Sequence, residues 1–342
     1  MGGVTFLDPM APRAYTGGPG ELEGLGGTEA TLVRVSESLA TAMPVTVRQS
    51  AWAREGERVN RAHWCGWSID CRMDERPDVI VVINSWKIAL KVARLHPDSR
   101  VIVWQHVFPG RHNRAHAAAL PAADVEIVCV SSTHARWLCN FAGPGGPRIS
   151  HIPNPIPDEL APDATERDRD LLIYASSPHK GLAQVFRRFD RLRSRFPTLR
   201  LAVADPGYLA WPTGPQPDGV VALGRLAQPE LHRWMRRALC LFYPQDHFAE
   251  TFGLVIAEAN AVGCPALLHR GLGANDEVVS DPSQCIDTSD DDAIEERIRE
   301  WRIARPGTTL AAARPEFRLS SIAVQWRAAI GAWAIPESSI ST

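Results

Sequence analysis

Lysine is almost missing from this chain: Lys87, Lys91 and Lys180 stand alone among 37 basic residues, the rest being arginine. Those 37 are offset by 39 acids, leaving a net charge of −2. A dedicated nucleic-acid binder carries a strongly basic face or domain, so no nucleic-acid partner is expected. Long apolar runs are also missing. None reaches the ~18 residues of a membrane span, and Met1-Gly2-Gly3-Val4 opens without the basic stretch and apolar core of a secretory leader. The expected location is cytoplasmic, with peripheral contact at the inner face of a membrane left open. The seven cysteines include no Cys-x2-Cys pair, and His63-Trp64-Cys65 with Cys71 fits no familiar zinc spacing. Reduced core thiols are expected, with no metal and no other cofactor.

What is present is an alternation. At 342 residues the chain exceeds one ordinary core, so two domains are the natural reading. Short β-branched runs at 4–8, 44–48, 79–83, 100–104, 126–130 and 149–152 predict strands, and 86–95, 113–120 and 133–141 predict helices. The stretch 50–76 reads as irregular. Its Trp52, Trp64 and Trp67 either stack on a ligand or staple the loop to the core. Pro153-Asn154-Pro155-Ile156-Pro157 makes a stiff connector. A second series follows, with strands at 170–174, 199–204, 220–223, 238–243 and 265–269 and helices at 182–196, 229–237, 291–302 and 319–333. The 182–196 helix sets an apolar stripe against five arginines, a face that is either solvated or turned to an anionic membrane.

The densest stretch is His247-Phe248-Ala249-Glu250-Thr251-Phe252-Gly253-Leu254-Val255-Ile256-Ala257-Glu258-Ala259-Asn260-Ala261-Val262-Gly263-Cys264-Pro265. Thr251 reads as an N-cap and Gly263 with Pro265 as the stop of one short helix, apolar on nearly every side. Glu258 lies in the middle of that run. Burying it unpaired would cost on the order of several kcal/mol, so it needs a partner, either an internal arginine or a ligand. At about 1.5 Å per residue, Glu250 and Glu258 stand roughly 12 Å apart along the axis. Glycosidase carboxyl pairs work at about 5–9.5 Å. The larger separation suits a longer ligand: a sugar at the helix mouth, a diphosphate over the first turn, a ribose beside Glu258. The free N–H groups of Thr251, Phe252, Gly253 and Leu254 favour phosphate, and Gly253 lets it approach closely. The alternative leaves Glu250 as a solvated first-turn acid.

This acid-x7-acid helix, followed by Gly263-Cys264-Pro265 and a strand, resembles the retaining family 4 glycosyltransferases of the GT-B fold. The resemblance implies an α/β protein of two Rossmann-like domains facing a cleft: residues 1–153 on the acceptor side, 154–318 binding the nucleotide sugar. It also implies a last helix, about 319–342, crossing back to the first domain, where Trp326 and Trp333 would dock. Glu250 would contact the donor sugar and Glu258 the ribose hydroxyls. Gly26 and Gly27 match a Gly-Gly that brings backbone N–H groups to the donor phosphate, although a helix-start turn capped by Thr28 explains them equally well. His106, ending an apolar strand, matches a histidine near the donor sugar; a loop histidine bonded to a carbonyl is the other reading.

Ser176-Ser177-Pro178-His179-Lys180-Gly181 follows a strand, so hydroxyls, N–H groups and a compact cation converge as an anion site. Lys180-Gly181 matches the family's diphosphate grip, but Ala175 and Ser176 occupy the place of its arginine. The function implied is transfer of a hexosyl group, with retention, from a nucleotide diphosphate sugar to a hydroxyl of a glycan, lipid-linked or small-molecule acceptor, as in polysaccharide biosynthesis. Base, sugar, acceptor and oligomeric state stay open. His106, Glu250 and Lys180 are the candidate catalytic residues; Gly26, Gly27, Ser176, Ser177, Lys180, Thr251, Phe252, Gly253, Leu254 and Glu258 bind the donor. The missing arginine keeps a catalytically idle nucleotide-sugar-binding subunit in play, beside a sugar-nucleotide hydrolase or phosphorylase on the same fold.

Overall fold

A computed structural model describes residues 3–18, 20, 25–68, 73, 76–207, 209–304 and 311–331. The chain divides into two units, Met1–Pro155 with Leu319–Thr342, and Ile156–Arg318. In chain order the first unit contains β1 (Val4–Asp8), α1 (Gly27–Leu39), β2 (Val45–Gln49), β3 (Glu57–Val59), β4 (Ala62–Gly66), β5 (Val79–Ile83), α2 (Trp86–Leu95) and β6 (Arg100–Gln105). A 3-10 turn (Arg111–Asn113), α3 (Arg114–Ala117), α4 (Ala119–Ala122), β7 (Glu126–Cys129), α5 (Ser132–Ala142) and β8 (Ile149–His151) complete the series. The sheet runs β3-β4-β2-β1-β5-β6-β7-β8, parallel except for the β3/β4 pair. β1 and β5 are buried along their whole length at its centre, which is why both read as unbroken apolar or β-branched runs.

Two expectations fail here. The stretch 50–76 holds the β3/β4 hairpin, turned at Asn60 with φ +53°; its strands, three and five residues long, carry too little alternation to register. Trp52 and Trp64 are buried, so they staple this region to the core. The single helix expected over 113–120 is instead the 3-10 turn followed by α3 and α4. Pro121 has no N–H to give the carbonyl four residues back, and the alanines supply no apolar stripe to hold one continuous helix.

The second unit contains β9 (Asp168–Ala175), α6 (Leu182–Arg195), β10 (Arg200–Ala204), β11 (Val220–Gly224), α7 (Gln228–Arg237), β12 (Ala238–Tyr243), α8 (Leu254–Ala261) and β13 (Ala266–His269). It ends with α9 (Asn275–Val278), β14 (Cys285–Ile286) and α10 (Asp291–Ile303). Its sheet, β11-β10-β9-β12-β13-β14, is parallel throughout. The chain winds one way from β9 to β11 and the other way from β12, so the strand order reverses between β9 and β12. Ligands of open α/β sheets sit beyond the carboxyl ends of the strands at such a point.

α11 (Leu319–Gly331) returns to the first unit and packs on α1. Trp326 is buried there, its ring 4.6 Å from Trp104 and 6.2 Å from Phe6. Trp333 lies outside the described residues. Three of the five arginines of α6 are paired with acids. Arg188 binds Asp246 at 2.8 Å, Arg191 pairs with Asp291, and Arg195 lies 3.6 Å from Glu295, all within the second unit. No described helix is long and apolar enough to cross a membrane.

Candidate active site

At the β9/β12 reversal of the second unit, four side chains meet. Lys180 Nζ donates to both carboxylate oxygens of Glu250, at 3.0 and 3.1 Å. The Tyr243 hydroxyl donates to Glu250 Oε1 at 3.1 Å, and the Ser176 hydroxyl bonds the same phenol. Glu250 is 7% exposed, so these bonds satisfy a carboxylate largely removed from water. Burial raises the Tyr243 phenol well above its ordinary range, with the Glu250 charge adding to the effect, which keeps it a proton-bearing donor. Lys180 Nζ also lies 4.8 Å from the Phe248 ring centre, a cation–π position that holds the ammonium toward one side.

Backbone geometry explains why these groups converge. Gly181, at φ +91°, has space for no Cβ, since one would stand 2.6 Å from Gln245 Cβ. The buried Gln245 in turn shapes the loop that carries Glu250. Its Oε1 accepts from the N–H groups of His247 (3.1 Å) and Phe248 (2.7 Å), and its Nε2 donates to the Phe248 carbonyl at 2.8 Å. Gly273, at φ +57°, packs flat on Glu250; a Cβ there would overlap the Glu250 carbonyl oxygen and stand 2.7 Å from its nitrogen. Ala274 N–H donates to that carbonyl at 2.9 Å. Ser177 is buried, its hydroxyl 2.8 Å from His179 Nδ1 and its carbonyl accepting from Tyr174 OH at 2.9 Å.

The helix begins later than its sequence suggests. α8 starts at Leu254 with Gly253 as N-cap in the left-handed region, and Thr251 does not cap it. Gly253 at φ +89° breaks helical geometry between Thr251 and Leu254, so Glu250 belongs to the preceding loop and is neither a first-turn acid nor solvated. The axial spacing drawn from an unbroken helix therefore does not apply. Phe252 is buried against Phe317, ring centres 5.1 Å apart, which leaves its backbone as the part near the helix mouth. Glu258 is 2% exposed, and its Oε2 lies 3.7 Å from His232 Nε2 on α7. That neighbour is a histidine, a residue type the sequence reading had not named as a partner.

Gly26, Gly27 and His106 belong to the first unit. Gly26 is the N-cap of α1 in extended conformation, and Gly27 begins the helix; Thr28 is not the cap. A Cβ on Gly26 would meet mainly the mobile end of Glu29, so crowding alone does not demand glycine. His106 follows β6 at 5% exposure, with its ring 4.5 Å from that of Trp104. Burial, helped by nearby His134, lowers it to about 3, so it is a neutral imidazole at physiological pH. Its backbone N–H donates at 2.6 Å to Oδ1 of Asn84, a residue at φ +55° just past β5. Tyr243, Gln245 and Asn84 were missed in the sequence. A tyrosine ending a buried strand and an asparagine directly after an apolar one are the signals that could have found two of them.

Residues 163–305, nearly the whole second unit, match the family of glycosyl transferases group 1. This unit is thus a group 1 glycosyl transferase domain. An exopolysaccharide phosphotransferase of Streptomyces coelicolor is 25% identical over 224 residues, which cover 62% of this chain and 22% of that protein. The chain thus spans about a fifth of that relative's length. Among solved structures, a glycosyltransferase from Rickettsia africae has a TM-score of 0.67 at 10% identity, over 98% of this chain and 99% of the other. AviGT4, a glycosyltransferase involved in avilamycin A biosynthesis, gives 0.63 at 16% identity over 98% and 99%. A UDP-forming trehalose-phosphate synthase from Burkholderia xenovorans gives 0.62 at 11% over 97% and 98%. At such identities the likeness is one of fold: this chain is built, like them, from two parallel-sheet Rossmann-like α/β domains. Among the described residues, no three His, Cys, Asp or Glu side chains group as a metal site; Cys71 lies outside those residues.

Proposed function

We propose that this protein is a retaining glycosyltransferase that moves a sugar from a nucleotide diphosphate donor to an acceptor hydroxyl. The observation that carries this reading is the double contact of Lys180 Nζ with Glu250 beside the amino end of α8. When the bond between the sugar and the diphosphate breaks, negative charge builds on the leaving phosphate oxygens. An ammonium and the first N–H groups of α8, fixed before the donor arrives, stabilise that charge without reorganisation. Lys180 has three N–H donors, so it can hold phosphate while keeping Glu250 in place. Glu250, fixed by Tyr243, orients the sugar. Glu258, 3.7 Å from His232 Nε2, takes the ribose hydroxyls. The family resemblance gives neutral His106 a contact with the sugar and Gly26 and Gly27 a role at the phosphate. It also gives a donor phosphate oxygen the acceptor's proton, so that neither a side-chain base nor a metal is invoked.

The test is incubation of purified protein with sugar nucleotides of uridine, guanosine, adenosine and thymidine. Slow release of free sugar with its anomeric configuration kept is the expected result. A second reading is favoured by the replacement of the family's arginine by Ala175 and Ser176, which leaves Lys180 as the donor seat's cation in this loop. In that reading the chain is a catalytically idle subunit that binds nucleotide sugars. Binding of a donor without turnover, whatever acceptor is supplied, would select it.

A further inference from the structure

The loop leaving His106 and the face of α5 enclose a pocket of about 550 Å³ in the first unit, lined by Pro109, Arg111, Arg114, Trp137 and Phe141. Trp137 and Phe141 are four residues apart on α5 and so share one face. Their rings are stacked at 14° with centres 5.2 Å apart. Phe108 meets Trp137 edge-on at 4.7 Å, and the Arg114 guanidinium lies 5.1 Å from the Phe141 ring centre. Trp137 nonetheless stays 40% exposed, a large flat ring left open to solvent on a braced platform. Arg111 and Arg114 are three residues apart across the junction of the 3-10 turn and α3, which places them on one side of it. Among the described residues neither arginine is paired with a carboxylate, and from Val101 to Ala123 the chain has no acid at all. This contrasts with α6, where Arg188, Arg191 and Arg195 all have acidic partners.

Two unneutralised guanidinium forks beside a stacked aromatic shelf have a specific ligand chemistry. A guanidinium presents parallel N–H donors that match phosphate oxygens, and two of them match a group with several such oxygens better than a single carboxylate. The shelf offers dispersion and area burial to a ring or chain attached to that group. We infer that this pocket binds a phosphate ester, its phosphoryl group on Arg111 and Arg114 and its organic part on Trp137. As a statement about the acceptor, that the acceptor carries such a phosphate, this rests on the transfer reading above; as a binding site it does not.

The experiment is calorimetric titration of the full chain, at low and moderate salt, with octyl phosphate, glucose 6-phosphate, octanoate and inorganic phosphate. Uridine, guanosine, adenosine and thymidine diphosphates are titrated in parallel. At least one of the two esters is expected to bind about tenfold or more tightly than octanoate or inorganic phosphate, and more weakly as salt rises. Replacing both arginines (Arg111→Ala with Arg114→Ala) should reduce that affinity at least about tenfold, since charge-assisted bonds are lost, while leaving nucleoside diphosphate affinity unchanged. Trp137→Ala should weaken ester binding severalfold without altering the response to inorganic phosphate. Preference for octyl phosphate, together with sedimentation on phosphatidylglycerol vesicles that the double variant loses, assigns the phosphate to a lipid; preference for glucose 6-phosphate assigns it to a soluble sugar phosphate. The inference is overturned if neither ester binds, if octanoate binds as well, or if the double variant binds the ester unchanged. Ester binding in a protein that binds no nucleoside diphosphate would uphold this pocket and remove the transfer reading instead.

Discussion

Lys180 and Glu250 depend on one another, because each is partly withdrawn from water and each is the other's charge partner. Removing the lysine strands a carboxylate that is 7% exposed, with Tyr243 as its remaining donor among the bonds described here. Breaking a buried ion pair from one side costs about 3 kcal/mol. Lys180→Met should therefore lower stability by about that amount in urea unfolding. Adding Glu250→Gln should recover part of the loss, since the stranded charge disappears; a double variant less stable than either single one would show that the pair is not the coupled unit. Tyr243→Phe removes one bond to a charged acceptor while keeping ring packing against Tyr174. It should lower kcat about tenfold with little change in nucleotide affinity, because a bond of this kind contributes about 1.5 kcal/mol. Equal kcat in the variant would mean that Lys180 alone fixes Glu250. Each of the two charged residues stood out in the sequence. Their contact did not, because it joins positions 70 residues apart and depends on the strand order reversing between β9 and β12.

At the level of elements, the amino end of α8 is set by glycines more than by caps. Gly253 takes the left-handed turn that a threonine cap would not supply, and Gly273 lets the loop before α9 lie against the Glu250 backbone. Gly271 offers an internal control. It also has positive φ, +75°, but a Cβ there meets nothing within 4 Å. Gly271→Ala should cost only the conformational strain of about 1 kcal/mol, whereas Gly273→Ala adds a backbone clash and should cost about 3 kcal/mol and most of the turnover. Similar losses in both would show that Glu250 is not held by this contact. Strands whose burial is continuous were readable to the residue, as with β1, β5 and β12, and so was α2, whose buried Trp86, Ala89 and Val92 recur at helical spacing. The ones that misled were of another kind. The β3/β4 hairpin is short, the 111–122 segment is broken by proline, and the start of α8 obeys a glycine dihedral that no residue type announces.

Across the whole molecule, the two-sheet α/β architecture was legible because parallel strands buried on both faces leave apolar runs at regular intervals. Burial also predicts how that architecture responds to acid. His106 is lowered to about 3 and His134 to about 4, from an ordinary value of 6.5. Below about 6.5 the unfolded chain takes up protons that the fold refuses, so stability is complete above that pH and falls as pH drops toward about 4. Each histidine contributes a slope of about 1.4 kcal/mol per pH unit within the window. Urea unfolding at pH 7, 6 and 5 should show the loss in the first unit, and His134→Leu should make it about half as steep. The central claim is that Lys180 and the start of α8 seat a diphosphate, and calorimetric titration of the four nucleoside diphosphates into wild type and Lys180→Arg tests it most directly. The arginine keeps the charge but changes its reach and shape. At least one nucleotide should bind the wild type, and about tenfold more weakly the variant; no binding by the wild type, or equal affinity in both, would contradict the account.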